Sequence, residues 1–280
     1  MDNNQEITQL NCLNCGTTAT GDFCDKCGQK TRDNNDRSIG PLLGDFFGNI
    51  FFIDNRFFLS VWYLFRFPSR MTVEFLAGMR KKFISPITLF LFFNLIYFFV
   101  NPLSDYSLTL EDQYYSQPYS EWIQESVIDK LNTIEIDSET YSTKYKQMSD
   151  SISKSIMILN VPIIAFFVYL MSFKRRRFYF DSLIFAIHFF SLFIFSLVML
   201  KWTDCLINCC PDNISSVIPD ISVELFIYSI PFLYAFLGIK KFLDVKWYWA
   251  IPAGLGLLIS LPLANLLYRF IILQLTLWFT

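Results

Sequence analysis

Phe178–Lys201 reads FYFDSLIFAIHFFSLFIFSLVMLK. Asp181 lies near its start, His188 near its middle, and neither Gly nor Pro interrupts it. At about 1.5 Å per residue, a helix of this length covers the roughly 30 Å hydrocarbon core of a bilayer. It is apolar on every side, so it has no face to offer water. Lipid or the interior of a helical bundle suits it.

Four more stretches read the same way: Phe83–Leu103, Ile156–Phe173, Ile221–Ile239 and Trp247–Tyr268. The last extends toward Thr280 through the apolar Phe270–Phe279, and Pro252 and Pro262 are expected to kink or split it. Composition agrees. Of 280 residues 53% are apolar, 32 are Phe and only 17% are charged, against about 25% in soluble domains. That balance excludes a disordered chain, a collagen-like chain and an ordinary soluble enzyme. The lipid bilayer is the expected surrounding. A net charge of −2 leaves no global basic surface, so no nucleic-acid partner is expected.

The loops set the orientation. If five spans alternate, Arg80-Lys81-Lys82, Lys174-Arg175-Arg176-Arg177 and the trio Lys240, Lys241, Lys246 all fall on one side. The other side receives Asn101–Ser155, with ten acidic residues and four Lys, and Trp202–Asp220, with three acidic residues and no basic one. The Lys/Arg-rich side is the cytoplasmic one. Met1–Leu10 is polar and lacks the basic and apolar segments of a cleavable signal peptide. A multi-pass protein of the cytoplasmic (inner) membrane is therefore expected, with its N-terminus inside. In the outer loop Trp122, Ile123, Val127 and Leu131 have helical spacing, which predicts a helical cap. Ser149–Ser155 is expected to extend the second span above the membrane.

Toward the N-terminus, Cys12, Cys15, Cys24 and Cys27 form C-x2-C-x8-C-x2-C. This is the spacing of a short zinc ribbon. Two thiolates three residues apart grip one ion only where the chain turns tightly, and Gly16 and Gly28 follow the two pairs to allow it. Lys26 and Lys30 offset part of the charge of about −2 on a four-thiolate zinc site. Disulfides or free thiols are the alternatives, and iron is the alternative ion. About twenty residues cannot bury a core, so a structural Zn²⁺ would be the fold of this module.

Between ribbon and spans, Leu42, Leu43, Phe46, Phe47, Ile50 and Phe51 share one helical face, and Phe57, Phe58, Val61, Trp62 and Phe65 share another. Two amphipathic helices in the membrane interface fit this pattern; core helices packed on the bundle are the alternative. Pro68-Ser69 starts a further short helix that ends at Arg80-Lys81-Lys82. The fold class read here is an all-α integral membrane protein of about five transmembrane helices, with a small N-terminal zinc ribbon and preceding amphipathic interfacial helices. Its parts are 1–32 (ribbon), 33–40 (linker), 41–82 (amphipathic interfacial helices) and 83–280 (transmembrane domain with an extracytoplasmic loop at 101–155).

Several stretches together carry a resemblance: Cys12-Leu13-Asn14-Cys15-Gly16, Phe23-Cys24-Asp25-Lys26-Cys27-Gly28-Gln29-Lys30, Phe46-Phe47 with Ile50-Phe51 and Asp54, Arg66-Phe67-Pro68, and Glu74-Phe75-Leu76-Ala77-Gly78-Met79-Arg80-Lys81-Lys82-Phe83 with Pro86. Residues 10–100 resemble a bacterial family of uncharacterised multi-span membrane proteins with a short N-terminal zinc ribbon. Met79 stands where that family leads one to expect a basic residue, and Phe67 where a more polar one is expected. The resemblance implies an architecture and no reaction.

Few residues could carry chemistry inside the spans. His188 is the sole histidine, expected either as a functional imidazole or as a neutral one bonded to a neighbouring helix. Asp181 is expected to pair with Arg177, and Glu224 to be solvated at the outer end of the fourth span. Asn94, Asn160 and Asn265 suit interhelical hydrogen bonds. Arg269 is expected to snorkel outward. Pro252, Gly256, Ser260 and Ala264 repeat every four residues, a spacing for close packing within the bundle or with a second copy. Cys205, Cys209 and Cys210 are placed in the outer loop as a bridge or as free thiols.

No phosphate loop, H-E-x-x-H or G-x-S-x-G is present, so no catalytic residue is assigned and an enzyme is not the leading expectation. That expectation is a membrane protein whose cytoplasmic ribbon is a docking or regulatory head. It would meet a cytosolic protein partner or fold back on the bundle, with a homo-oligomer as a further option. The alternatives are a permease or channel-like transporter using the Asn residues, and a membrane enzyme on a lipid-like substrate built on His188 or Asp181.

Overall fold

The computed structural model describes residues 10–31, 40, 55–100, 108–133, 138–173, 178–208 and 220–279. The expected helix over Leu42–Phe51, most of the linker, the Lys174–Arg177 cluster, and Cys209 and Cys210 lie outside the described residues.

A two-stranded ribbon, β1 (Leu10–Asn11) and β2 (Thr18–Ala19), opens the described chain. Then come α1 (Asn55–Arg66), α2 (Arg70–Leu76) and α3 (Pro86–Val100), followed by α4 (Leu110–Tyr115), α5 (Ser120–Thr133) and α6 (Ser138–Ile156). A 3-10 turn at Met157–Leu159 leads into α7 (Asn160–Ser172), and α8 (Tyr179–Asn208), α9 (Asp220–Leu243) and α10 (Trp247–Phe279) complete the order.

Each of the five apolar stretches lies mostly on a helix, α3, α7, α8, α9 or α10, and residues 101–103 of the first lie outside the described residues. Among the described residues, Tyr179–Thr203 and Trp247–Phe279 are long and apolar enough to cross a membrane. Glu139–Ser153 with Met157–Ser172, bent by 59°, makes a third if it is one broken span. So Ser149–Ser155 does not simply prolong the second apolar stretch; the chain turns sharply between α6 and α7. α3, at 15 residues, is a shorter apolar helix.

α8 is the hub and packs on α1, α2, α3, α7 and α9; α10 closes the circuit against α7 and α9 and reaches α6. Phe185 and Phe189 of α8 meet Tyr234 of α9, and Phe185 stacks on Phe242 at 4.8 Å between ring centroids. In a bilayer such rings gain by close packing rather than by leaving water, because lipid tails are as apolar as the core.

α10 has two kinds of face. Ala250, Gly254, Leu257 and Ala264 are buried, whereas Ile251, Leu255, Ile259, Leu263 and Leu267 form an exposed stripe at four-residue spacing. Sixteen residues of rise make that stripe about 24 Å long, close to the thickness of a bilayer core. Pro252 and Pro262 sit inside α10, which runs from Trp247 to Phe279 as one helix, so of the expected kink or split the split is not found. Both are exposed, and a proline on an outer face costs the helix its own N–H bond without forcing a ring into neighbouring side chains.

Beyond the stripe, α10 enters the cap. Leu273 and Leu277 join Leu110, Tyr119, Ile123, Val127, Tyr141 and Tyr145 in a second core. The Tyr268 hydroxyl donates to the Ser153 carbonyl at 2.6 Å. Arg269 Nη1 lies 3.4 Å from Gln117 Oε1, so the guanidinium is tied to the cap. Leu273 and Leu277 are therefore buried against the cap, whereas Trp278 and Phe279 at the end of α10 are exposed.

The two described helices before α3 behave differently. α1 packs Phe57 on Phe92 (4.5 Å) and Phe65 on Phe195 (5.0 Å), yet leaves Phe58 and Trp62 exposed. α2 buries Met71, Thr72 and Phe75, and Ser69 Oγ just before it donates to the Gly238 carbonyl of α9 at 2.8 Å. Small residues of α10 serve contacts inside the chain. A Cβ on Gly256 would meet Met171 of α7, and Ser260 and Ala264 are fully buried.

Candidate metal centre

The ribbon consists of two copies of one turn. In the first, Gly16 N donates to Cys12 O (2.8 Å) and Cys12 N to Thr17 O (2.9 Å). In the second, Gly28 N donates to Cys24 O (2.7 Å) and Cys24 N to Gln29 O (2.8 Å). Both glycines have positive φ, 73° and 67°, which an L side chain resists. Each turn swings the second thiol of its pair back toward the first.

The result is a four-sulfur cluster. The Sγ atoms of Cys12, Cys15, Cys24 and Cys27 all lie within 4.8 Å of one another. Cys12 and Cys27 are 3.5 Å apart, as are Cys15 and Cys24. These separations cross between the turns and far exceed a disulfide bond of about 2.05 Å. A tetrahedral ion with bonds of about 2.3 Å spaces its sulfurs by about 3.8 Å, so the donor set fits such an ion closely. Cys12 and Cys24 are buried, and Cys15 and Cys27 half-exposed. The Thr17 hydroxyl and backbone N–H hold the Cys15 thiol down at about 6, while desolvation pushes Cys27 up to about 11. One thiol is thus ready to ionise near neutrality, and an incoming cation supplies the drive for the others.

The ribbon does not float free of the helices. Its buried Gln29 reaches the turn after α2, where Nε2 donates to Gly78 O at 2.7 Å and Oε1 accepts from Arg80 N at 3.1 Å. This pairing fixes the amide orientation, because a flip would face donor to donor and acceptor to acceptor. Gly78 closes α2 with a positive φ of 99°, and the 3.0 Å bonds Gly78 N to Phe75 O and Met79 N to Glu74 O form a Schellman cap. Leu13 presses on it from the first turn; a Cβ on Gly78 would lie 2.5 Å from Leu13 Cδ1.

One turn back, Glu74 takes Arg70 at 2.8 Å and Lys82 at 2.5 Å. Burial alone would raise its carboxyl, but Lys82 and Arg70 outweigh that and hold it below the usual carboxylate range. Gln29 carries no motif signal in sequence apart from following Gly28, and Gly78 signals only a helix end.

The other sequence candidates scatter. His188 Nδ1 is 2.8 Å from Thr72 Oγ1 on α2, and its Nε2 is buried without a partner. Asp181 is buried, and its Oδ2 accepts from Phe178 N at 3.4 Å; Arg177 lies outside the described residues. Asn160 Nδ2 donates locally to Met157 O, and Asn94 lies buried on α3. Asn265 lies half-buried on α10, and Glu224 falls on α9. Cys205 is not in a loop, because α8 runs on to Asn208.

Residues 54–98 match the model of a family described as a protein of unknown function (DUF3667). The matched stretch contains α1, α2 and most of α3, including the Gly78 turn that receives the ribbon. No curated protein and no solved structure matches the chain.

Proposed function

We propose that the chain is a bacterial inner-membrane protein with about five spans and a cytoplasmic N-terminus. Its ribbon, liganded through Cys12, Cys15, Cys24 and Cys27, holds one structural Zn²⁺ and acts as a regulatory head docked on its own membrane domain. The carrying observation is the two-point grip of Gln29 on Gly78 and Arg80. α2 lies between that grip and the bundle. Its cap faces the ribbon, while Thr72 and the preceding Ser69 bond to His188 and Gly238 in the spans. An ordered ribbon therefore has a short mechanical route to α8 and α9.

Four thiolates at tetrahedral spacing are the usual set of a structural zinc and would also hold iron, so metal analysis decides between them. A cytosolic protein would meet the ribbon at its exposed apolar side chains, Phe23 and Leu13, and Leu13 also touches Gly78. Partner binding and self-docking then compete. The mostly apolar core around α8 supports this reading over a polar transport path.

Hydrogen exchange of the full-length protein in nanodiscs tests it. Zinc chelation should expose residues 70–83, and Gln29→Ala should expose them equally while one zinc per chain remains bound. Unchanged exchange at 70–83 on chelation would remove the regulatory role.

A further inference from the structure

Two basic clusters lie near α2, and they differ in one respect. Arg70 and Lys82 share the single carboxylate of Glu74, which pairs with both and offsets half of their charge. Lys240, Lys241 and Lys246, at the junction of α9 and α10, have no ion pair among the described residues, and Asp244 in the connecting turn pairs with none of them. The Ser69–Gly238 bond places this junction at the same end of the bundle as α2.

Lys240 and Lys241 close α9, where a cation complements the helix dipole. Lys246 precedes the first turn of α10, where a cation is disfavoured, so the dipole does not account for it. Directly after it come Trp247, Tyr248 and Trp249, exposed by 51%, 64% and 57%. Successive residues on a helix point about 100° apart, so these rings form a collar around the start of α10. Lys240 Nζ stands 4.3 Å above the Trp247 ring. The aliphatic stripe of α10 begins two residues later, at Ile251.

We infer that this junction is a docking face for anionic phospholipid headgroups in the leaflet on the ribbon side. The rings sit at headgroup level, and Lys240, Lys241 and Lys246 supply the charge that a phosphodiester lacks a partner for. Apolar rings exposed beside unpaired lysines suit an acidic lipid surface, where each cation gains attraction and each ring keeps its amphipathic setting. The inference rests on the membrane placement of α10 and not on the regulatory role of the ribbon.

The test uses the full-length protein in nanodiscs of mixed phosphatidylglycerol and phosphatidylcholine, with bromine on the chains of one lipid or the other. The signal is the tryptophan quenching lost in the Trp247→Phe/Trp249→Phe variant. Brominated phosphatidylglycerol should out-quench brominated phosphatidylcholine by about fivefold, the enrichment one surface lysine supports. In Lys240→Gln/Lys241→Gln/Lys246→Gln the preference should fall to unity, while Lys82→Gln keeps it. Equal quenching by both lipids, or a preference that survives the triple substitution, overturns the headgroup site and leaves the membrane placement standing. Absence of quenching by either lipid overturns that placement. Loss of the preference on adding inorganic phosphate at constant ionic strength would identify a free anion as the ligand and overturn the lipid assignment.

Discussion

Gln29 Nε2 and the Gly78 carbonyl oxygen, 49 residues apart in sequence, are separated by 2.7 Å. The same Gln29 closes the second cysteine turn with its own carbonyl, which accepts from Cys24 N. One residue thus belongs to the metal module through its backbone and to the helical domain through its side chain. Disturbing the cysteine turn moves the group that holds the α2 cap.

Gly78 is the more sensitive partner. Gly78→Ala meets two penalties: a φ of 99° that alanine resists and a Cβ 2.5 Å from Leu13 Cδ1. The expected cost is about 1–3 kcal/mol at the docking contact. Adding Leu13→Ala should return only the steric part. Limited proteolysis within 10–31 reads this, with cleavage fastest in Gly78→Ala, intermediate in the double variant and slowest in the wild type. Full rescue by Leu13→Ala would show that backbone strain plays no role.

Removing the metal should unfold the head and spare the body. Cys12→Ser or Cys24→Ser deletes a buried ligand and should leave zinc well below one per chain by elemental analysis. The ribbon contributes two strands of two residues each, too little to persist without its ion. Far-UV circular dichroism, dominated by the helices, should stay within error of wild type. A large loss of helicity would mean that the ribbon is needed for the bundle itself.

The pH dependence of the α2 cap follows from Glu74. Its carboxyl is held below the ordinary range, so its stabilisation is fully present above the unfolded-state value of about 4.5 and is lost as pH falls through the lower folded value. Glu74→Gln should therefore lower the thermal midpoint at neutral pH, by the equivalent of about 1 kcal/mol given the half-exposed Arg70. Only below that lowered folded value, where the carboxyl is protonated in the fold as well, should the variant and wild type converge. A gap that widens on acidification contradicts the ion pairs.

The helical stretches were readable because their signal is compositional: apolar runs of near-membrane length declare themselves without partners. The thiol cluster was readable because four ligands and two turn glycines lie within seventeen residues. What escaped was relational. Gln29 and Gly78 meet across 49 residues, and although the resembling stretches contain both, nothing local marks them as partners. The expected run of the last stretch through Phe270–Phe279 is one helix, but its packing on Tyr119, Ile123 and Tyr145 was not legible, because hydropathy does not name the partner of an apolar residue. Whether Pro252 and Pro262 split the last helix was not legible, because a proline costs one N–H bond and crowds its own i−4 carbonyl, and whether the helix survives that depends on the surrounding packing.

Thr72 and His188 offer a paired test of the route into the bundle. Thr72→Val leaves Nδ1 without its partner beside an already unpartnered Nε2, at an expected cost of about 1–3 kcal/mol. Thr72→Val with His188→Phe removes both members of this pair and should recover part of that loss; the buried Tyr234 hydroxyl, which also faces Thr72, keeps Ser69 as its partner. Thermal midpoints in detergent measure it. A double variant less stable than Thr72→Val would mean that the imidazole makes a further essential bond.

Gly254 and Gly256 separate stiff from soft packing on α10. A Cβ on Gly254 would lie 2.6 Å from Phe236 Cδ1 and 2.9 Å from its Cε1, whereas one on Gly256 would lie 2.5 Å from Met171 Cε alone among close atoms. The ring of Phe236 is rigid and moves only as a unit; the methionine methyl is the far end of a flexible chain and swings aside at little cost. Alanine also favours a helix over glycine by about 1 kcal/mol, which offsets part of either clash. Gly254→Ala should therefore destabilise the α9–α10 contact by about 1–3 kcal/mol, and Gly256→Ala should be neutral or stabilising. Equal losses at the two positions would show that Met171 is as confined as Phe236, and that α7 and α10 are locked together as tightly as α9 and α10.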